Sequence, residues 1–196
     1  SDSFDGSGTA DSVIVEFAGP VATIGISFGN GPSNANSGTV GINDISFDIV
    51  CFTPGTMIAT PLGDLLIEEI KVGDLVISQD SCIQAIRWIG RKKVSGARLQ
   101  SFTNLRPVLI RKDAFGPNLP NKDMHVSPQH RILVSGQNVL INFAESQVLA
   151  PAKGLITDHS VVVDSSVKGI EYIHVLFDKH EVIYSDGLPT ESFHPQ

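Results

Sequence analysis

The chain has 196 residues, 41% of them hydrophobic and 18% charged, with a net charge of −7. That length accommodates one large domain or a domain plus a fragment, and the apolar share is enough for a real core. The composition excludes a basic nucleic-acid-binding surface, a long apolar helix that would span a membrane, and any CxxC or Cys/His cluster with zinc spacing.

Residues 1–50 contain no Lys or Arg and six acids, Asp2, Asp5, Asp11, Glu16, Asp44 and Asp48. Residues 51–196 carry 14 bases and 15 acids, so the composition changes at Cys51. The first part is also rich in Gly, Ser and Asn, a texture that suits a secreted or cell-surface bacterial β-protein. No secretory signal stands at the start, and the chain opens as though cut from something longer.

Within this part, "TIGISFGN" alternates Ile24, Ile26 and Phe28 with small residues, the period of a strand. "GNGPSNANSG" is a loop. "TVGINDISFDIV" places Val40 and Ile42 on one face and then Ile45, Phe47 and Ile49 on odd positions. The phase slips at Asn43-Asp44, which predicts a β-bulge or bend. Three short strands cannot close a core of their own, so residues 1–50 read as the tail or edge of an upstream β-sandwich. If its last strand continues unbroken, Cys51 lies in phase with Phe47 and Ile49.

From Cys51 the pattern stays β. Strands are predicted over 57–60, 64–67, 74–78, 84–89, 107–111, 125–126, 131–134, 139–142, 161–164, 172–177 and 181–184, punctuated by Gly63, Gly73, Gly90 and Gly136. A short helical piece is predicted near 145–155. Many short, closely spaced strands imply an all-β barrel or compact wrapped β-fold.

Three stretches carry candidate chemistry. Cys51 opens "CFTPGTMIATPLGDLLIEEIKVGDLVIS"; "HVSPQHRILV" contains Ser127 and His130; "EYIHVLFDKHEVIYSDG" contains His174 and His180. A thiol with separated histidines is the minimum equipment for nucleophilic catalysis. Taken singly, each has a plainer reading: a lone Cys after a strand is more often a small buried hydrophobe, and a lone His more often structural. Cys82 reads as an incidental thiol, and Trp88, after Arg87, as packing for its own strand. His125, His159 and His194 have no assigned role.

Together, order and spacing resemble the Hint superfamily shared by hedgehog proteins and inteins, and more narrowly the bacterial intein-like Hint domains. The resemblance covers residues 51–193. Cys51, Gly55-Thr56, Ile58, Thr60, Gly63, Ile67-Glu68, Gly73-Asp74 and Val76 are similar to the family's N-terminal splicing block. Ser127 to His130 resembles its Thr-x-x-His block, and Tyr172 with His180 eight residues on resembles its C-terminal block.

The resemblance implies an all-β Hint fold over 51–196 that cleaves the Val50–Cys51 bond autocatalytically, as a single-turnover event, through an N-to-S acyl shift and a thioester. The chain's own residues 1–50 would be the substrate, and water, a thiol or an amine the acyl acceptor; no metal or organic cofactor, nucleic acid or membrane span is implied. It makes Cys51 the nucleophile, His130 the general acid and Ser127 the group that orients it or bonds the scissile backbone. The family's catalytic Asp after the Tyr is Ile173 here, which passes that role to His174, one residue on. His174 and His180 share a face if their strand runs unbroken, whereas a turn at Asp178-Lys179 separates them. Inteins end in His-Asn followed by Cys, Ser or Thr; Glu191-Ser192-Phe193 stands there, which implies cleavage without splicing. Two other readings stay open: a trans-acting cysteine hydrolase, and a structural or adhesive β-module whose Hint portion is inactive.

Overall fold

The structure is a computed structural model, and it describes residues 50–79, 81–136, 144–157 and 159–193. The strands, bulge and loop predicted before Val50, and the strand predicted over 139–142, lie outside the described residues. No helix among the described residues is long and apolar enough to cross a membrane.

The described chain is built from short strands: β1 (Met57–Ile58), β2 (Leu65–Leu66), β3 (Leu75–Ser78), β4 (Cys82–Ala85), β5 (Trp88–Ser95), β6 (Val108–Ile110), β7 (Met124–Val126), β8 (Arg131–Ser135), β9 (Gln147–Pro151), β10 (Val161–Val163), β11 (Gly169–Leu176), β12 (Val182–Ser185) and β13 (Leu188–Glu191). One helix, α1 (Gly96–Ser101), and two 3₁₀ turns at Thr103–Leu105 and Ala152–Leu155 complete them. The largest sheet runs β2-β1-β12-β13-β8-β9, with the β3–β4 hairpin attached through β12. A second sheet runs β10-β6-β7, and β11 pairs with β5 in a long two-stranded ladder.

Phe52 ties the last two together. It forms isolated bridges to Val126 on one side and Ile173 on the other, and its amide and carbonyl exchange hydrogen bonds of 2.8 and 2.9 Å with Ile173. Its ring is buried in a core with Ile58, Ile67, Val76, Ile86, Ile173, Val175 and Ile183. A second core gathers Val108, Ile110, Met124, Val126, Ile132 and Leu188. A smaller third one holds Cys51, Val94, Leu99 and Tyr172.

The ladder β5–β11 explains how side chains reach that third cluster. Successive strand residues point to opposite faces. Ile173 and Val175 therefore enter the main core, while Tyr172 and His174 face the other way, beside Cys51. Both faces of β11 are covered between Tyr172 and Val175, which is why this segment reads as a run of buried residues.

Several elements differ from the expectation. The strand expected over 84–89 is broken at Ile86-Arg87. Ile86 bonds back to the turn at Gly73 and Asp74, whereas the Arg87 amide bonds to the Leu176 carbonyl, so the chain changes sheets between them. The helix expected near 145–155 is mainly β9, hydrogen-bonded along β8, with only the 3₁₀ turn after Pro151. The turn is used locally: the Ala152 and Lys153 amides bond the carbonyls of His130 and Pro128 and fix that loop. A further difference is α1, where no helix was expected; the Ser95 hydroxyl accepts from the Arg98 amide, and Leu99 is buried.

Candidate active site

The backbone brings Val50 and Cys51 to the gap between β7 and β11. The Ser127 amide donates to the Cys51 carbonyl at 3.1 Å, and the Cys51 amide donates to the Ser127 Oγ at 3.0 Å. Ser127 thus grips the peptide unit on the C-terminal side of Val50. Its hydroxyl also bonds the Cys51 thiol and favours the thiolate, although burial, the larger effect, pushes the thiol up. Cys51 is 3% exposed, and no disulfide joins it to the exposed Cys82.

His174 supplies the central contact. Its Nδ1–H donates to the Val50 carbonyl oxygen at 2.9 Å. A carbonyl can only accept, so this bond fixes the tautomer of a neutral imidazole. Nε2 is then left with its lone pair, 3.4 Å from the Cys51 sulfur. One ring reaches both the Cys51 thiol and the Val50 carbonyl. Burial keeps this ring neutral by lowering its pKa, against a smaller upward pull from the Val50 carbonyl.

His130 is fully buried and sits edge-on to Phe52, with ring centroids 4.5 Å apart. Desolvation, helped by the nearby His174, brings its pKa down to about 3, and the Cys51 backbone pulls it slightly up. Neither ring nitrogen has a hydrogen-bond partner at normal geometry among the described residues. A buried orphan of this kind costs roughly 1–3 kcal/mol and is uncommon outside functional or water-bearing sites. The ring is neutral near pH 7, so it carries no spare proton until it has taken one up.

His180 is carried elsewhere. β11 ends at Leu176, the chain bends at Asp178-Lys179, and the His180 Nε2–H donates to Glu191 Oε1 at 2.6 Å. The unbroken strand that would have kept His174 and His180 on one face is therefore absent. Arg131 reaches the same Glu191 oxygen at 3.4 Å. His125 donates to Asp164 at 2.9 Å, away from the thiol. Sequence reasoning missed two aromatic neighbours of His174, the stacked Trp88 and the edge-on Phe193. The alternation Trp88-x-Gly90 opposite His174-x-Leu176 could have pointed to Trp88 only with the ladder register in hand.

The arrangement resembles a nucleophile–base pair already docked on a carbonyl of its own chain. Among the described residues no group of three or more His, Cys, Asp or Glu could hold a metal ion.

Comparison with known proteins gives a consistent picture. A family described as Hint domain matches residues 50–196. Similar solved structures include a splice-inactive, GSH-linked variant of the AceL NrdHF class 3 split intein, 14% identical, covering 74% of this chain and 100% of its own, with a TM-score of 0.50. The bacterial intein-like domain from Clostridium thermocellum is 15% identical, with 74% and 99% coverage and a TM-score of 0.47. The gp41-1 intein is 15% identical, with 71% and 96% coverage and a TM-score of 0.45. At these identities the likeness is one of fold. No match was found among curated proteins.

Proposed function

The chain belongs to the Hint domain family, and from that membership we propose that it cleaves its own Val50–Cys51 peptide bond through an N-to-S acyl shift. Hint domains are self-processing and act on the sequences that flank them. In this reading residues 1–50 are the substrate and residues 51–196 the processing domain. The observation that carries it is the double contact of His174, Nδ1–H on the Val50 oxygen and Nε2 beside the Cys51 sulfur.

The bond resists attack because amide resonance gives it a rotation barrier of roughly 18–20 kcal/mol. Burial disfavours a resident thiolate, so deprotonation accompanies attack. Nε2 of His174 takes the thiol proton as the sulfur bonds to the Val50 carbon. The oxygen, now anionic, stays on the Nδ1–H, the kind of preorganised donor whose loss typically costs about 10²–10³ in rate. The C–N bond then breaks, and the proton lost by the thiol ends on the Cys51 nitrogen. His174 gives that proton up again, and Ser127 Oγ, already bonded to the nitrogen, and His130, whose ring lies beside the Cys51 backbone and near His174, are the groups that carry it. Holding nucleophile and carbonyl in one chain contributes about 7–11 kcal/mol by proximity. Water, a thiol or an amine resolves the thioester. His180, paired with Glu191, serves the C-terminal end of the domain rather than the nucleophile.

A trans-acting hydrolase fits less well, because the thiol is buried and already faces an attached carbonyl. Intact mass before and after incubation with a thiol tests the proposal. Two fragments meeting at Val50/Cys51 are expected, with the upstream fragment carrying the added thiol as a thioester. Persistence of the intact chain, or fragments from a Cys51→Ala chain, would overturn it.

A further inference from the structure

The ring that covers His174 is held in place by an unusual seat. Trp88 and Gly90 are two apart on β5 and share a face; across the ladder they oppose Leu176 and His174. The indole folds back over Gly90. A Cβ at Gly90 would stand 2.1 Å from Trp88 Cη2, 2.7 Å from Cζ3 and 2.9 Å from Cζ2. Only the missing side chain lets the indole lie there, a case of glycine marking a close approach.

From this seat the indole reaches the cross-strand neighbour. It stacks on the His174 imidazole, with centroids 6.5 Å apart and planes at 28°. Phe193 meets His174 edge-on at 5.8 Å and Trp88 at 6.4 Å, so three rings pack as a group. Phe193 is itself fixed, its amide donating to the Val175 carbonyl at 3.1 Å. Trp88 is 48% exposed while His174 is 5% exposed, which makes the indole an outer cover and the imidazole the covered group.

We propose that Trp88 is a positioning residue for His174: seated on Gly90, it locks the imidazole plane so that Nδ1 meets the Val50 oxygen and Nε2 the Cys51 sulfur, and it keeps water off the pair. The kinetic part of this inference rests on the self-cleavage reading; the geometric part does not. A ring with two required contacts at opposite nitrogens tolerates little rotation, and in-plane stacking restrains it without competing for either nitrogen.

Among the described residues the titratable groups facing His174 are few. Cys51 lies at Nε2, His130 acts on it from the Ser127–His130 loop, and Tyr172 stands beside Cys51 on the same face of β11. β5 adds Lys92, opposite Tyr172 and exposed, and the Arg87–Asp178 pair closes the ladder beyond Trp88. The segment after β13 contributes Phe193, which is uncharged.

Three variants test it: Trp88→Ala, Trp88→Phe and Gly90→Ala. The Gly90→Ala change is informative because the colliding atoms belong to the far end of a side chain, which can swing away while the strand stays paired. The first measurement is an NMR titration of His174 in a Cys51→Ala background, where no cleavage occurs. Trp88→Ala and Gly90→Ala are expected to move the His174 midpoint upward, toward the ordinary histidine range, as water reaches the ring; Trp88→Phe is expected to leave it near its starting value. The second is the pH profile of thiol-induced cleavage with Cys51 present. Its acid limb should move to higher pH in the same two variants, and the plateau should fall about tenfold, short of the roughly 10²–10⁴-fold typical of losing a general base. A role in packing alone would lower the unfolding midpoint and leave both titration and acid limb in place, and that result overturns the inference. A chain that never cleaves would instead remove the self-cleavage reading, with the titration still deciding the role of Trp88.

Discussion

A neutral imidazole has one donor and one acceptor nitrogen, and at His174 both have defined partners. In the proposed mechanism, removing it takes away the base and the carbonyl donor together. His174→Ala is therefore expected to slow thioester formation by about 10²–10⁴-fold, the usual weight of a general acid–base group. His174→Gln keeps an N–H for the Val50 oxygen but no base, and should fall in the same range. His125→Ala should change the rate little, because His125 is tied to Asp164. Single-turnover kinetics followed by mass spectrometry separate these variants. In the proposed mechanism the neutral form of His174 is the working one, and burial lowers its pKa, so the rate should be flat around neutral pH and decline only on the acid side of the ordinary histidine range. His130 adds a pH term to stability. Its pKa falls from 6.5 to about 3 on folding, so the unfolded chain binds the proton first. The stabilisation is complete above pH 6.5 and is lost at about 1.4 kcal/mol per unit as pH falls toward the folded value. Urea unfolding at pH 7 and pH 4.5, in the Cys51→Ala background, should show this loss, and His130→Phe should make it shallower. Equal pH slopes for the two chains would remove the buried neutral His130 from the account.

At the scale of elements, β11 and the β12–β13 hairpin position the candidate site. The strand predicted over 172–177 overlaps β11 from Tyr172 to Leu176 and runs one residue past its end; the start of β11 was hidden, because residues 169–171 owe their strand state to the far partner Lys93–Ser95 rather than to their own pattern. β13 was missed although its signal was present: Asp186-Gly187 follows "VIYS" and precedes "LPTE". Both turn residues have positive φ, 49° and 80°, which is the primed two-residue turn for which Asp-Gly is favoured. Asp186 is further held by the Met57 amide at 3.1 Å and Lys122 at 3.2 Å. A Cβ at Gly187 would meet Asn118 and Asn121 only at ordinary contact distances, so the cost of Gly187→Ala is conformational. It should lower unfolding free energy by about 1–2 kcal/mol with the denaturant slope unchanged. Gly187→Asn, which tolerates the left-handed region better, should cost less. The helix α1 left a fainter trace, a Ser95 cap before a single buried Leu99, with no amphipathic run to reveal it.

At the scale of the whole molecule, the composition break at Cys51 coincides with the start of the matched family region at residue 50. Cys51, Ser127 and His130 were legible through motif order, whereas the cover by Trp88 and Phe193 was not, since it depends on contacts between three distant segments. The same whole-chain view bears on the other end of the domain. Release of a C-terminal flank by the intein route requires a side-chain amide to attack its own backbone carbonyl. By the family resemblance Ser192 takes the place of that amide; it is fully buried, its hydroxyl accepting from the Glu181 amide at 3.1 Å and its own amide donating back at 2.8 Å. Glu191 stands where the assisting histidine would be, and its carboxylate is engaged by His180 and Arg131. Phe193 has no hydroxyl or thiol, and its ring is committed to the His174 cluster. A reporter fused after Gln196 should therefore remain attached while residues 1–50 are released, slowly in water and faster with added thiol. Gel and mass analysis of that fusion read the outcome directly. Recovery of residues 1–50 joined to the reporter would mean that the buried Ser192 segment opens and takes part in splicing.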